Sequence, residues 1–84
     1  MYGYVYLTIN NLNNRMYIGQ HKSKVYDRYY KGSGKIIRLA IDLYGFDNFS
    51  NYILVKCCSK KSLDYFEKLI IEERNAVDDP RYYN

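Results

Sequence analysis

The stretch GYVYLTINNLNNRMYIGQH, Gly3 to His21, reads as two strands and the turn that joins them. Over Gly3–Ile9 the side chains alternate: Tyr4, Tyr6 and Thr8 share one face, and Val5, Leu7 and Ile9 share the other. Asn10–Asn14 has the composition of a turn, because asparagine tolerates positive φ and hydrogen-bonds its own backbone neighbours. Residues 15–21 alternate again, with Met16 and Ile18 set against Tyr17, Gly19 and His21. Antiparallel strands must turn their apolar rows to the same side. The simplest register that does so sets Val5 opposite Ile18 and Leu7 opposite Met16, and with them Tyr4 opposite Gly19 and Tyr6 opposite Tyr17. The need for a core therefore gathers the tyrosines of both strands on the other face.

Beyond the hairpin, Lys22–Lys35 mixes basic, polar and aromatic residues, with room for a short helical turn around Val25–Tyr30. Ser33 is a suitable N-cap for a helix over Gly34–Tyr44, and Gly45 a suitable stop. Arg38 and Asp42 fall on the polar face of that helix as an i,i+4 pair. A third strand is expected at about Asn51–Cys57. Ser59 or Ser62 caps a last helix, Leu63–Ala76, whose apolar stripe is Leu63, Phe66, Leu69 and Ile70. Glu67 lies on or beside that stripe. The tail, VDDPRYYN, is irregular and closes the domain. The reading is a single α+β domain over 1–84: a small antiparallel three-stranded sheet flanked by helices, in the order β-β-α-(α)-β-α.

Composition narrows the function. Eighty-four residues make one small domain. Twelve tyrosines, three phenylalanines and no tryptophan give an aromatic surface that keeps its hydroxyls. A net charge of +4 favours a polyanionic partner, nucleic acid being the commonest. No apolar run approaches the ~20 residues of a membrane span, and no signal-peptide pattern is present. Cys57 and Cys58 are adjacent, so on a strand they point to opposite faces and do not pair, which fits a reducing, cytoplasmic setting. These cysteines with His21 make a poor zinc set. GSGK (Gly32–Lys35) is not a Walker loop, because Ile36 follows the lysine; it is a helix start whose amides could also touch a phosphate.

YVY (Tyr4–Tyr6) followed by YIG (Tyr17–Gly19), with the Asn-rich turn between them, resembles the paired signature of the GIY-YIG nuclease family. The segments YKGSGK (Tyr30–Lys35) and AIDLYGFDNFS (Ala40–Ser50) are similar to its phage and mobile-element, homing-endonuclease-like branch. The resemblance spans essentially the whole chain and implies a metal-dependent DNA endonuclease. It implies one Mg²⁺, with Mn²⁺ able to substitute, held chiefly by Glu67. It casts Tyr17 as the residue that activates water and places Tyr6 in the same site. It asks for an arginine on the phosphate, for which Arg28 is nearest and Arg38 and Lys35 are substitutes. It puts Asn84 at the edge of the pocket and His21 where related members carry a basic residue. Two features depart from the pattern: Tyr4 replaces the first glycine, and the arginine does not align, Arg28 lying about one residue beyond the usual position and Gly32 falling where many members place a second basic or histidine side chain. In a phage setting the compartment is the host-cell cytoplasm.

The chemistry is consistent with these residue types. Mg²⁺ is commonly held by one or two carboxylates, with water and substrate phosphate completing its shell. A phenol of ordinary pKa about 10 needs a neighbouring positive charge to serve as a base, and His21 and Lys22 are on the right segment to help. Each residue also has a plainer reading: Glu67 paired with Lys68 or Lys22, Tyr17 packed across the hairpin, Arg28 in a solvated loop, His21 merely exposed. The competing functions are a non-catalytic DNA- or RNA-binding module of the same fold, and a protein-interaction domain using its tyrosines. A specific DNA interface buries about 1,000 Å² or more of protein, so target choice is expected to involve a separate DNA-binding region, a partner protein or a second copy.

Overall fold

A computed structural model describes all residues, 1–84. The elements are β1 (Gly3–Asn10), β2 (Met16–His21), α1 (Lys35–Tyr44), a single 3₁₀ turn (Phe46–Asn48), β3 (Phe49–Cys57) and α2 (Lys60–Glu73). All strands are antiparallel, in the order β2-β1-β3. Because β1 is central, both of its faces are covered, and Tyr4, Val5, Tyr6 and Thr8 are all buried.

The hairpin register differs from the expected one by two residues. Leu7 faces Ile18, Tyr6 faces Gly19, Thr8 faces Tyr17 and Tyr4 faces His21. The loop decides this: the Asn10 N–H donates to the Arg15 carbonyl at 2.8 Å, and Asn14 takes φ 62°, so Asn11–Asn14 are looped out. A shift of two leaves every side chain on its expected face. Tyr6 therefore meets a glycine rather than a tyrosine.

One face of the sheet carries α2. Val5, Ile18, Cys57 and Leu63 are buried together there with Ala76, and Phe66, Ile70 and Ile71 pack against them. Ile71, not Leu69, completes the stripe. A Ser59–Ser62 capping box starts α2 at Lys60, and the helix ends at Glu73 rather than Ala76, with Asn75 at φ 52°. A bulge between Val5 and Tyr6 opposite β3 lets both Leu54 and Val55 reach this core. The other face carries α1 and the 22–34 loop, around Ile37, Ala40, Phe49 and Tyr83.

The expected helical turn near residues 25–30 is a loop with one turn, closed by the Tyr30 N–H to the Asp27 carbonyl. The N-cap of α1 is Gly34, not Ser33, and no side chain caps it. Arg38 and Asp42 form no ion pair; the salt bridges of the chain are Lys60–Asp64 and Arg81–Asp79. The tail lies along the open edge of β2, where Met16 exchanges backbone hydrogen bonds with Arg81 and Tyr83. Asn84 extends that pairing with its side chain, accepting from Ile18 N–H at 2.9 Å and donating to Ile18 carbonyl at 2.7 Å. No helix is long and apolar enough to cross a membrane.

Candidate active site

Buried polar residues of the sheet hold the 22–34 loop against the tyrosine face. The Asp27 N–H donates to the Tyr4 hydroxyl at 3.0 Å, and the Thr8 hydroxyl donates to the Lys31 carbonyl at 2.8 Å. Asn51 donates to the Tyr30 carbonyl, and Tyr26 donates to the Asn51 side-chain oxygen. Tyr4, which stands where the family signature has glycine, is thus a loop anchor. These bonds seat the Tyr30 ring flat on His21, with centroids 3.7 Å apart, and edge-on to Tyr6 at 5.6 Å.

Tyr17 fills a space that glycines leave open. A β-carbon on Gly19 would stand 2.5 Å from the Tyr6 hydroxyl and 2.8 Å from the Tyr17 ring. One on Gly34 would stand 2.9 Å from the Tyr17 hydroxyl, and one on Gly32 would stand 3.4 Å from the Tyr17 ring. Real β-carbons essentially never come within 3.0 Å, so a side chain at Gly19 would force the Tyr6 and Tyr17 rings aside, and one at Gly34 would displace the tip of Tyr17. The Tyr17 phenol thus lies against the start of α1, where no side chain caps the helix and the Gly34 backbone favours the ionised phenol.

Glu67 stands on α2, where it contacts the end of β2 through Gln20. It is half-buried, and one oxygen accepts from Gln20 Nε2 at 3.1 Å. The same nitrogen donates to Asp64 at 2.9 Å, while Asp64 is also paired with Lys60 at 2.7 Å. Neither Lys68 nor Lys22 forms a salt bridge with Glu67. Its charge is felt by both phenols. Burial pushes Tyr17 above the usual phenol range, Glu67 and Tyr30 add to the rise, and the Gly34 N–H opposes it. Burial pushes Tyr6 up much further, with Tyr17, Tyr30 and Glu67 adding to it.

The sequence-derived candidates divide accordingly. Tyr6, Tyr17 and His21 gather with Tyr30 on one face of the sheet, while Glu67, on α2, contacts Gln20 and is within electrostatic range of Tyr6 and Tyr17. Arg28 does not join them in this structure: its guanidinium donates to the Tyr29 hydroxyl at 2.6 Å and lies over that ring. Lys22 stands over Tyr2, and Lys35 is exposed at the start of α1. Arg38 and Asp42 border a cleft with Tyr29, Tyr30 and Phe46. The Asn84 amide is engaged with Ile18 at the strand edge.

Gln20, Tyr30 and Gly34 were not singled out by the sequence. Alternation places Gln20 on the α2 face with Ile18, which was the available signal for its contact with Glu67. Nothing local marks Tyr30, since its position depends on long-range anchors.

No three His, Cys, Asp or Glu side chains gather into a metal cage. The available donors are hard oxygens: one half-buried carboxylate near two phenols, with a second carboxylate sharing its amide donor. This set suits Mg²⁺ or Mn²⁺ bound through one or two carboxylates with the remaining positions left to water and phosphate. It does not suit zinc, since Cys57 is buried in the α2 core and His21 lies on the opposite face.

Comparison with known proteins bears on the family and the fold. The segB and segE proteins of Enterobacteria phage T4, both provisionally named endonucleases, are each 40% identical over the full chain. The T4 endonuclease segA is 34% identical over 99% of it. The chain spans only about two fifths of these relatives, 38%, 40% and 37% of their lengths. The solved catalytic domain of the homing endonuclease I-TevI superposes with a TM-score of 0.65 at 26% identity, covering 95% of this chain and 96% of that one. The family model for the GIY-YIG catalytic domain matches residues 2–84, and the chain belongs to that family.

Proposed function

We propose that this domain is a metal-dependent endonuclease that hydrolyses DNA phosphodiester bonds. The observation that carries the reading is the cluster of Tyr6, Tyr17, Tyr30 and His21 on one face of the sheet, with Glu67, held by Gln20 from α2, within electrostatic range of Tyr6 and Tyr17. Hydrolysis forms a bond from water oxygen to phosphorus and expels an alkoxide. It needs a proton acceptor for the water, positive charge against the phosphorus-bound oxygens, and a proton for the leaving group.

Tyr17 is the acceptor, because it is less strongly held in its neutral form than Tyr6 and has the Gly34 N–H to stabilise its phenolate. Tyr6 keeps its proton and serves as a hydrogen-bond donor in the site. Glu67, oriented by Gln20, would hold Mg²⁺ or Mn²⁺, and the ion would supply positive charge for the phosphate and for an ionised Tyr17. Arg28 and Lys22, both exposed, supply charge to the DNA backbone, and Arg28 must leave Tyr29 to grip a phosphate bidentately. Lys35 adds a backbone contact at the helix start.

The test is relaxation of supercoiled plasmid by the wild type and by Glu67→Gln, with Mg²⁺ or Mn²⁺ and with EDTA. Nicking by wild type with metal alone is the expected result. Equal nicking by both proteins would remove Glu67 from the site. The engagement of Arg28 with Tyr29 favours one alternative, a non-cutting DNA- or RNA-binding module. Salt-sensitive DNA binding without cleavage by either protein would select it.

A further inference from the structure

The surface of α1 divides into three sectors. Ile37 and Ala40 are buried, and Lys35, Arg38 and Asp42 form a polar flank. Between them runs an apolar stripe of Ile36, Leu39 and Leu43, spaced i, i+3, i+7, whose exposures are 56%, 58% and 78%. A continuous apolar stripe open to water marks an interaction face more often than a scatter of single exposed residues does. Asp42 and Arg38 stand one turn apart beside it and yet form no ion pair.

We propose that this stripe is the seam of a symmetric dimer, α1 packing antiparallel on α1 of a second copy. The spacing suits a two-fold axis. About a centre between residues 39 and 40, Ile36 of one copy meets Leu43 of the other, and Leu39 lies beside its own symmetry mate. Flanking residues on one side of an antiparallel pair meet the same flank of the partner. Arg38 and Asp42 are centred on residue 40, within a residue of that axis, so each Arg38 comes opposite the other copy's Asp42. The two charges left unpaired within one chain are paired twice across the seam, which is the self-complementarity that a two-fold interface requires.

The ten-residue helix is about 15 Å long, so the interface belongs to the small, transient class and association is concentration-dependent. It would place two catalytic domains on one particle.

Sedimentation equilibrium tests this over roughly 0.01–1 mM chain, where association in the micromolar-to-millimolar range is read. The wild type is expected to rise from its monomer mass of 10.1 kDa toward twice that value. Leu39→Glu, at an exposed position that leaves the fold intact by circular dichroism, is expected to stay monomeric. Asp42→Arg is expected to weaken association at least tenfold, and Arg38→Asp with Asp42→Arg to restore it. A wild type that stays monomeric throughout overturns the proposal and leaves the stripe to a different partner. Undiminished association by Leu39→Glu or by Asp42→Arg, or failure of the double exchange to restore it, overturns it as well.

Discussion

A methyl group added at Gly34 would meet the Tyr17 hydroxyl at 2.9 Å, while the backbone there, at φ −63° and ψ 153°, suits any residue. The cost of Gly34→Ala therefore falls on the site and not on the fold. Its unfolding free energy should change by less than about 1 kcal/mol, while a phenol displaced by several tenths of an ångström should slow nicking by roughly 10–100-fold. Wild-type rates in this variant would mean that the position of Tyr17 is immaterial. Gln20→Ala should cost about 10–100-fold in activity or metal affinity, since its amide orients Glu67; titrating Mn²⁺ against nicking rate measures it. The electrostatics give a prediction that needs no cleavage. Glu67 is a lesser cause, after burial, of the raised Tyr17 pKa. In metal-free protein, Glu67→Gln should lower that pKa while leaving it above the ordinary value. A ¹³C titration of labelled tyrosine, with Tyr17→Phe for assignment, reads the shift. An unmoved Tyr17 signal would place the carboxylate out of range of the phenol.

The elements were legible where a single periodicity governs them. Period two located β1 and β2 and assigned their faces correctly, because alternation survives a shift of register by two. For the same reason the apolar pattern could not distinguish the true register from its neighbour. That choice belongs to the Asn10–Arg15 loop, whose backbone hydrogen bonding and positive φ are not coded by composition. Helix α2 was legible in its apolar stripe and its serine cap, and less so at its end, where Asn75 stops the helix before Ala76. The capping box predicts a loss of about 1 kcal/mol for Ser59→Ala, and the burial of Leu63 predicts about 2–5 kcal/mol for Leu63→Ala, both by urea unfolding. If the first equalled the second, the helix would be held by its cap and not by its packing. At the candidate site, alternation gave the shared face of Tyr6 and Tyr17 though not their register, and Glu67 became a candidate through the family resemblance. Tyr30 and Gly34 could not be read, since their roles depend on contacts from remote parts of the chain.

At the scale of the whole molecule, a core that buries phenols ties stability to alkaline pH. Tyr4, Tyr6 and Thr8 replace the aliphatic row expected on the second face of a central strand, and burial raises the pKa of Tyr4, Tyr6 and Tyr17. Below pH about 10, the ordinary phenol value, folded and unfolded chains hold the same phenol protons, and this contribution to stability is fully present. Above it the unfolded chain releases protons that the fold retains, so stability falls with rising pH until the folded-state pKa of each group is passed. Each phenol contributes a slope of at most about 1.4 kcal/mol per pH unit. Lysines titrate in the same range, so the slope of the wild type alone does not isolate the phenols. Tyr6→Phe does: it removes one buried proton and keeps the ring. Urea unfolding at pH 8, 9, 10 and 11 should give the variant a shallower alkaline decline, with the difference developing only above pH 10 and approaching one proton's slope. Parallel curves for the two proteins would mean that Tyr6 ionises as readily in the fold as in the unfolded chain. In that event its assignment as the phenol that keeps its proton, and with it the division of labour between Tyr6 and Tyr17, would fall.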